Sequence, residues 1–484
     1  MNYECVIGLE VHVQLLTTTK IFCSCPNRFS HEPNINVCPV CLGLPGSLPV
    51  LNRQAVELGL KAALALDFTI PPVMGFDRKH YFYPDCPKNF QITQHVRPLA
   101  VRGGLDIVVD GQKRRINIAR AHLEEDAGKL VHSGGVSKAD LNRAGAPLLE
   151  IVSEPEIRSP REARLYMEML RDILVYCGVT DGSLEEGSMR CDANISVRPG
   201  GAETLGVKNE IKNVNSFRGV ENALQLVYRE LCRQTDAGEP VRQVTWGYSI
   251  EKQKIFPMRC KENADDYRYA PEPDLPPVAI DREWVERLRR ELPEMPLAKR
   301  ARLQAEYGLG AAEAGQLAAA RALADYFEEA AGKSGAARET ANWLLNDAAR
   351  ALNGDWRKLR DFPLSAAALA DIITAVREKK INTATARGIF TRIVEGDRRT
   401  VAEIIGQDGL AQVSDSGAIA TALAEAVAQN PQAAQTADGK PQTAMWFVGQ
   451  VMRRLHGQAA PDAVVAAVAA HFRLPPEAFA RKKK

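Results

Sequence analysis

The opening segment sets the pattern for the first half of the chain. In VIGLEVHVQL, Leu9, Val11, Val13 and Leu15 fall on one face of an extended strand, and Glu10, His12 and Gln14 fall on the other. One face is core; the other is either a ligand row or the solvated side of an edge strand. SMRCDANISVR repeats the alternation, setting Arg190, Asp192, Asn194, Ser196 and Arg198 against Met189, Cys191, Ala193, Ile195 and Val197. A third segment, VKNEIKNVNSF, puts Lys208, Glu210 and Lys212 on one side and Asn209 and Asn213 on the other. Several such strands predict a sheet whose polar face is the floor of an active site.

Past about residue 290 the period changes. ANWLLNDAARAL, LADIITAVREKK and ATARGIFTRIVEG carry apolar residues at helical spacing between Gly and Pro breaks, and the texture becomes Ala-rich. A Pro-rich stretch, PEPDLPPVAI at 271–280 and then ELPEMP up to Pro296, suits an exit linker. The expected plan is an α+β catalytic domain over 1–294, a helical domain over 295–407 and a small helical module over 408–484. The last begins its final helices after the loop NPQAAQTADGKPQ at 430–442 and ends in the basic run Arg481–Lys484.

A chain of 484 residues is too long for one core, in keeping with several domains. With 45% hydrophobic and 25% charged residues and no long uncharged apolar run, no membrane span is expected. The N-terminus has no basic leader region and carries Glu4 and Glu10, so a cytoplasmic protein is expected. The 62 basic and 60 acidic residues leave a formal charge of +2, so contact with nucleic acid must rest on local patches. Lys440, Arg453, Arg454 and the terminal basic run are candidates, with a solvated face as the alternative. No G-x-x-x-x-G-K-[ST] loop occurs, so any nucleotide site is built differently.

Carboxylates gather in ARAHLEEDAGK, which holds His122, Glu124, Glu125 and Asp126, and in PLLEIVSEPE, where Glu150 lies between Leu149 and Ile151. At a core edge such groups must be paired or bound to a cation. Mg²⁺ with nucleotide phosphates is one reading and an ordinary ion-pair network the other. Glu124 and Glu125 point to opposite faces of an extended strand, which lets one of them reach an ion. Cys23-x-Cys25 is followed after twelve residues by Cys38-x2-Cys41, a spacing that closes a four-thiolate zinc site more readily than it leaves free thiols or holds an iron–sulfur cluster. Cys5, Cys86, Cys177, Cys191, Cys232 and Cys260 are scattered and read as core thiols. In DRKHYFYPDCPKNFQITQ, Lys79, Tyr81, Tyr83 and Lys88 either line a polar path or are packed tyrosines beside solvated lysines.

Taken together, the segments resemble the B subunits of the bacterial aspartyl/glutamyl-tRNA amidotransferases along nearly the whole chain. IGLEVHVQL at 7–15, YFYPDCPKNFQITQ at 81–94, HLEEDAGK at 122–129 and DLNRAGAPLLEIVSEPE at 140–156 carry the resemblance. EEGSMRCDANISVR at 185–198, EIKNVNSF at 210–217, DDYRYAPEPDLPP at 265–277 and GKPQTAMWFVGQVMRR at 439–454 complete it in family order. It implies a cradle-like domain with an antiparallel sheet akin to glutamine synthetase, then a helical domain and a YqeY-like tail that binds tRNA. It also implies a heterotrimer with a glutaminase A subunit, which sends ammonia through a tunnel, and a small C subunit. The non-discriminating aminoacyl-tRNA synthetase is a candidate further partner. The implied reaction is ATP- and Mg²⁺-dependent amidation of Glu-tRNA(Gln) or Asp-tRNA(Asn), with zinc structural.

Carried onto this sequence, the resemblance makes Glu10, His12, Glu124, Glu125 and Glu150 the expected magnesium cluster, with Asp192 and Asn194 near it. Arg190, Lys208 and Lys212, with Glu210 beside them, are expected at the phosphate or substrate carboxylate, and Lys79 and Lys88 at the ammonia entrance. Two competing readings use fewer of these features. A ligase for a free small carboxylate leaves the helical tail unused, and a noncatalytic RNA-binding scaffold leaves the carboxylates structural.

Overall fold

The computed structural model describes residues 3–184, 186–259, 267–412, 416–455 and 458–479. Cys260, Asp265, Asp266 and the run Arg481–Lys484 lie outside them, as does the side chain of Asn213. The chain divides after Pro296 into two compact units.

The first unit is built on one large sheet. Its strands are β1 (Tyr3–Gln14), β4 (Ala100–Val109), β5 (Gln112–Glu125), β6 (Pro147–Ser153), β7 (Met189–Pro199), β8 (Asn209–Val214), β9 (Thr245–Ser249) and β10 (Lys254–Arg259). They lie side by side in the order β10-β9-β8-β7-β1-β6-β5-β4. The intervening β2 (Asp77–His80) and β3 (Phe90–Thr93) pair in a separate small sheet with Ala270–Pro271. β1 is hydrogen-bonded on both sides, to β6 and to β7, so it is a central strand and its polar row is not a solvated edge. The sheet departs from the expected antiparallel arrangement at one place, because β8 and β9 run parallel. A helix, α3 (Phe217–Asp236), connects them, and a helical crossover returns the chain in the same direction.

The alternation read in the sequence decides which face is covered. Leu9, Val11, Val13 and Leu15 are fully buried, as are Met189, Cys191, Ala193 and Ile195 of β7 to within 2%. Helices α1 (Arg53–Ala65), α2 (Pro160–Tyr176) and α3 pack on that apolar face: α1 against β4 and β5, α2 against β1 and β4, α3 against β7 and β8. Each starts at a side-chain cap that satisfies an otherwise orphaned amide: Asn52 accepts from Gln54 N at 2.8 Å, Ser159 from Glu162 N at 3.2 Å and Ser216 from Gly219 N at 3.0 Å. α1 approaches the sheet through Gly59, where a Cβ would stand 2.6 Å from Leu99 Cδ2.

The second unit is helical. Its buried apolar residues fall in two groups, one from Leu303 to Ile404 and one from Ile419 to Phe479. Among the described residues, no helix is long and apolar enough to cross a membrane.

Because β1 is shared by both halves of the sheet, Leu9→Ala is expected to lower the stability of the first unit by about 2–5 kcal/mol, the usual cost of removing a buried leucine side chain. Hydrogen exchange of the β6 and β7 amides reads this out. Exchange at the wild-type rate would show that β1 does not anchor them.

Candidate active site and metal centres

Strand pairing alone assembles the centre of the polar face. His12 stands opposite Arg190 of β7 on one side and Glu150 of β6 on the other, and Glu150 stands opposite His122 of β5. Directly paired residues share a face, so the four side chains form one row across the sheet. His12 Nε2 lies 3.4 Å from Glu150 Oε2 and 3.5 Å from Glu124 Oε1. His122 Nε2 lies 3.2 Å from Glu150 Oε2 and 3.8 Å from Glu124 Oε2. Glu124 shares the face of His122 two residues along and is buried, with Thr93 Oγ1 donating to it at 3.3 Å.

Burial by itself would make both imidazoles neutral. Hydrogen bonds and charge from Glu150 and Glu124 outweigh it and hold His12 and His122 up at about 9. Burial would likewise raise the two carboxyls, but the histidines outweigh it, lowering Glu124 and taking Glu150 well below the usual carboxylate range. Donor atoms of His12, Glu124 and Glu150 all lie within 4.8 Å of one another, a spacing and charge that fit a divalent cation.

The other expected ligands are engaged elsewhere. Glu10 accepts from Asn194 Nδ2 at 2.8 Å, on the same polar face. Glu125, the next residue along the strand, is not grouped with His12 and Glu150 but accepts from Lys88 Nζ and from Ile92 N at 2.8 Å. His122 is legible beside Glu124, since two residues apart on a strand means one face, but the sequence pattern presents it only as part of an acidic segment.

A cavity of about 310 Å³ opens at the His12 and Arg190 end of this row, lined among others by His12, Glu124, Glu125, Lys88, Arg190 and Lys212. Arg190 Nη2 and Arg143 Nε hold Asp126 at 3.0 and 3.1 Å. Lys212 Nζ lies 3.4 Å from Asp192 Oδ2 and 3.5 Å from buried Glu210. Lys208 precedes the strand, is exposed and does not line the cavity. Lys79 Nζ stands 4.7 Å over the ring of Tyr267. Burial works to lower its pKa, but the charges of Glu124 and Glu150 and of nearby tyrosines raise it, so it is an ammonium facing the acidic row.

The four cysteines come together as well. The sulfurs of Cys23, Cys25, Cys38 and Cys41 all lie within 4.8 Å of one another, and Cys25 and Cys41 are buried. A tetrahedral ion with metal–sulfur bonds near 2.3 Å needs sulfurs about 3.8 Å apart. Cys38 and Cys41 stand at 3.9 Å, so the quartet fits zinc. The Cys23 hydrogen bond, with help from Lys20, pulls the Cys41 thiol down to about 4, while Cys25 is pushed up to about 11, first by burial. Cys41 also lines the cavity, so the thiolate centre and the carboxylate row share a wall. Of the remaining cysteines, Cys5 and Cys86 are buried and pushed up to about 12, chiefly by that burial, which suits core thiols.

Fold and site thus define a mixed α/β domain with a charged, cation-competent cavity on its sheet, followed by a helical region. Residues 5–286 match the GatB/GatE catalytic domain family and residues 325–471 match the GatB domain family. The chain is 48% identical to the B subunit of the aspartyl/glutamyl-tRNA(Asn/Gln) amidotransferase of Moorella thermoacetica, covering 96% of this chain and 98% of that one. It is 46% identical to the protein of the same name from Carboxydothermus hydrogenoformans, covering 96% and 97%, and 47% identical to that from Trichlorobacter lovleyi, covering 96% and 98%. The chain belongs to the family of aspartyl/glutamyl-tRNA(Asn/Gln) amidotransferase B subunits.

If His12, Glu124 and Glu150 hold a cation, Glu150→Gln should weaken Mn²⁺ binding in a spin-resonance titration by more than about tenfold, since loss of even an outer-shell partner costs that much. Glu10→Gln should leave it nearly unchanged. Equal weakening by both would place Glu10 among the ligands.

Proposed function

We propose that this chain performs the ATP-dependent step of transamidation, converting Glu-tRNA(Gln), Asp-tRNA(Asn) or both to the amidated aminoacyl-tRNA. The observation that carries the reading is the meeting, in one cavity, of His12 and Glu124, whose donor atoms converge with that of Glu150, with Arg190, Lys88 and Lys212. A carboxylate resists displacement by ammonia because it has no adequate leaving group. Attack of its oxygen on the γ-phosphorus of ATP forms an acyl phosphate and releases ADP; nitrogen then attacks the acyl carbon, and inorganic phosphate leaves with the bonding pair. His12, Glu124 and Glu150 would hold a divalent cation, Mg²⁺ or, given the imidazole, Mn²⁺, and it would neutralise phosphate charge.

The chain's own side chains orient the reactants. Arg190 is held in place by Asp126 and, with Lys212, forms the cationic side of the cavity that takes phosphate or substrate carboxylate. Asp192 and Glu210 hold Lys212 on that side, Asn194 lies beside it bonded to Glu10, and Lys208 is assigned to the outer approach. Glu125, paired with Lys88, takes a proton from arriving ammonium, so that neutral ammonia reaches the acyl carbon; Lys79 and Lys88 border its entrance. Glu10 supports the row from Asn194.

The wider assignment includes a glutaminase A subunit that supplies ammonia, a C subunit, structural zinc at the four cysteines, and a cytoplasmic location beside the synthetase that charges the tRNA. In this reading residues 1–294 form a glutamine-synthetase-like cradle, 295–407 a helical body and 408–484 a YqeY-like tail. Lys440, Arg453 and Arg454 of that tail sit on the helix Pro441–Arg454 or at its start, where they can meet an RNA backbone.

With the reconstituted complex and ammonium as nitrogen source, Glu125→Gln is expected to lower amide formation about 10²- to 10⁴-fold, the usual worth of a general base, while tRNA binding and glutaminase activity persist. Retained amidation would remove Glu125 from the chemistry. Lys88→Met should depress glutamine-dependent amidation far more than glutamine hydrolysis; coupling at the wild-type ratio would contradict the entrance assignment.

A further inference from the structure

Lys20 is fully buried and takes no part in the chemistry above. An ammonium removed from water is strongly disfavoured unless it meets acceptors and opposite charge. Its Nζ donates to Asn36 O at 2.7 Å and to Leu141 O at 3.4 Å, and it lies 3.7 Å from Cys41 Sγ. The two carbonyls satisfy hydrogen bonds but carry no net charge. The Cys41 sulfur, as a thiolate, is the counter-charge at hand. Four thiolates around a divalent cation leave a double negative charge, and a buried ammonium beside them cancels half of it.

The same short segment is stitched to both neighbouring structures. Lys20 N donates to Cys25 O at 2.9 Å, and Ile21 N donates to Gly145 O at 3.0 Å. Gly145 has φ +83°, lines the cavity, and donates its own N–H to Asp126 O at 2.9 Å. Asp126 is the carboxylate that holds Arg190. A continuous set of contacts therefore runs from Cys41 through Lys20 and Gly145 to the cationic side of the cavity.

We propose that Lys20 is a positioning residue: its buried ammonium holds the four-thiolate centre closed and locks that centre to the loop 141–146 that walls the carboxylate cavity. The proposal rests on the cysteine quartet holding zinc, and the experiment separates the two. Zinc content is measured on the full-length wild-type chain and on Lys20→Met and Lys20→Arg, followed by the rate of zinc release to a chromogenic chelator. About one zinc per wild-type chain is expected. Lys20→Met should release it about 10- to 100-fold faster, as for other partners that orient a metal ligand, and Lys20→Arg, which keeps the charge, should recover most of the difference.

A second measurement needs no variant and decides the matter if Lys20→Met does not fold. Removing zinc from the wild-type chain should accelerate hydrogen exchange in 141–146 as well as in 20–41. A wild-type chain without zinc overturns the four-thiolate reading and the clamp together. A zinc-loaded wild type whose Lys20→Met variant releases metal at the wild-type rate, or whose 141–146 exchange ignores zinc removal, overturns the clamp alone.

Discussion

The register of β1 against β6 and β7 is the constraint on which the rest of this molecule depends. Side chains alternate strictly along a strand, so a slip of one residue would send Val11 and Val13 into the cavity and His12 into the core. Full burial of Leu9, Val11, Val13 and Leu15, each worth about 1.5–3 kcal/mol, prevents that slip. Holding those four inside holds His12 opposite Glu150 and Arg190 without any further device. The apolar face thus specifies the chemistry of the other face, and it also offsets the desolvation of two carboxylates and two imidazoles gathered there.

That gathering is stable because its members compensate one another. Glu124 and Glu150 keep the histidines protonated, and the histidines keep the carboxylates ionised, so the charges are retained in a place where burial alone would remove them. A divalent cation can take over the role of the histidine protons with little rearrangement, since three donor atoms already converge. Around this core the charges are paired outward: Lys88 with Glu125, Arg190 with Asp126, and Lys212 with Asp192. An anionic substrate entering the cavity meets cations that are already positioned by carboxylates, which lowers the cost of ordering them.

How much of this could be read from the residues follows from what a single strand determines. Which side of β1 and β7 faces the core depends on alternation alone, and the apolar and polar rows lie where the sequence placed them. The cysteine quartet was legible because its spacing brings both pairs within reach of one ion. Other features depend on partners distant in sequence. Whether Glu124 or Glu125 meets His12 is set by the pairing of β5 with β6, and no local pattern reports that pairing. The parallel step between β8 and β9 comes from the crossover through α3. Lys20 carried no signal at all, since its burial arises only when the cysteine loop and the loop before β6 close over it.

The central claim is that this cavity makes an acyl phosphate from a tRNA-linked carboxylate, with Glu150 helping to hold the cation that the transfer needs. It is tested most directly by following oxygen. Glu-tRNA(Gln) labelled with ¹⁸O in its side-chain carboxylate is amidated by the complex with ATP and ammonium, and the phosphate is analysed by mass. One labelled oxygen in inorganic phosphate is expected for each amide formed, and neither label transfer nor amide with Glu150→Gln. Label appearing in AMP, or amide formed by the Glu150→Gln complex at the wild-type rate, would contradict it.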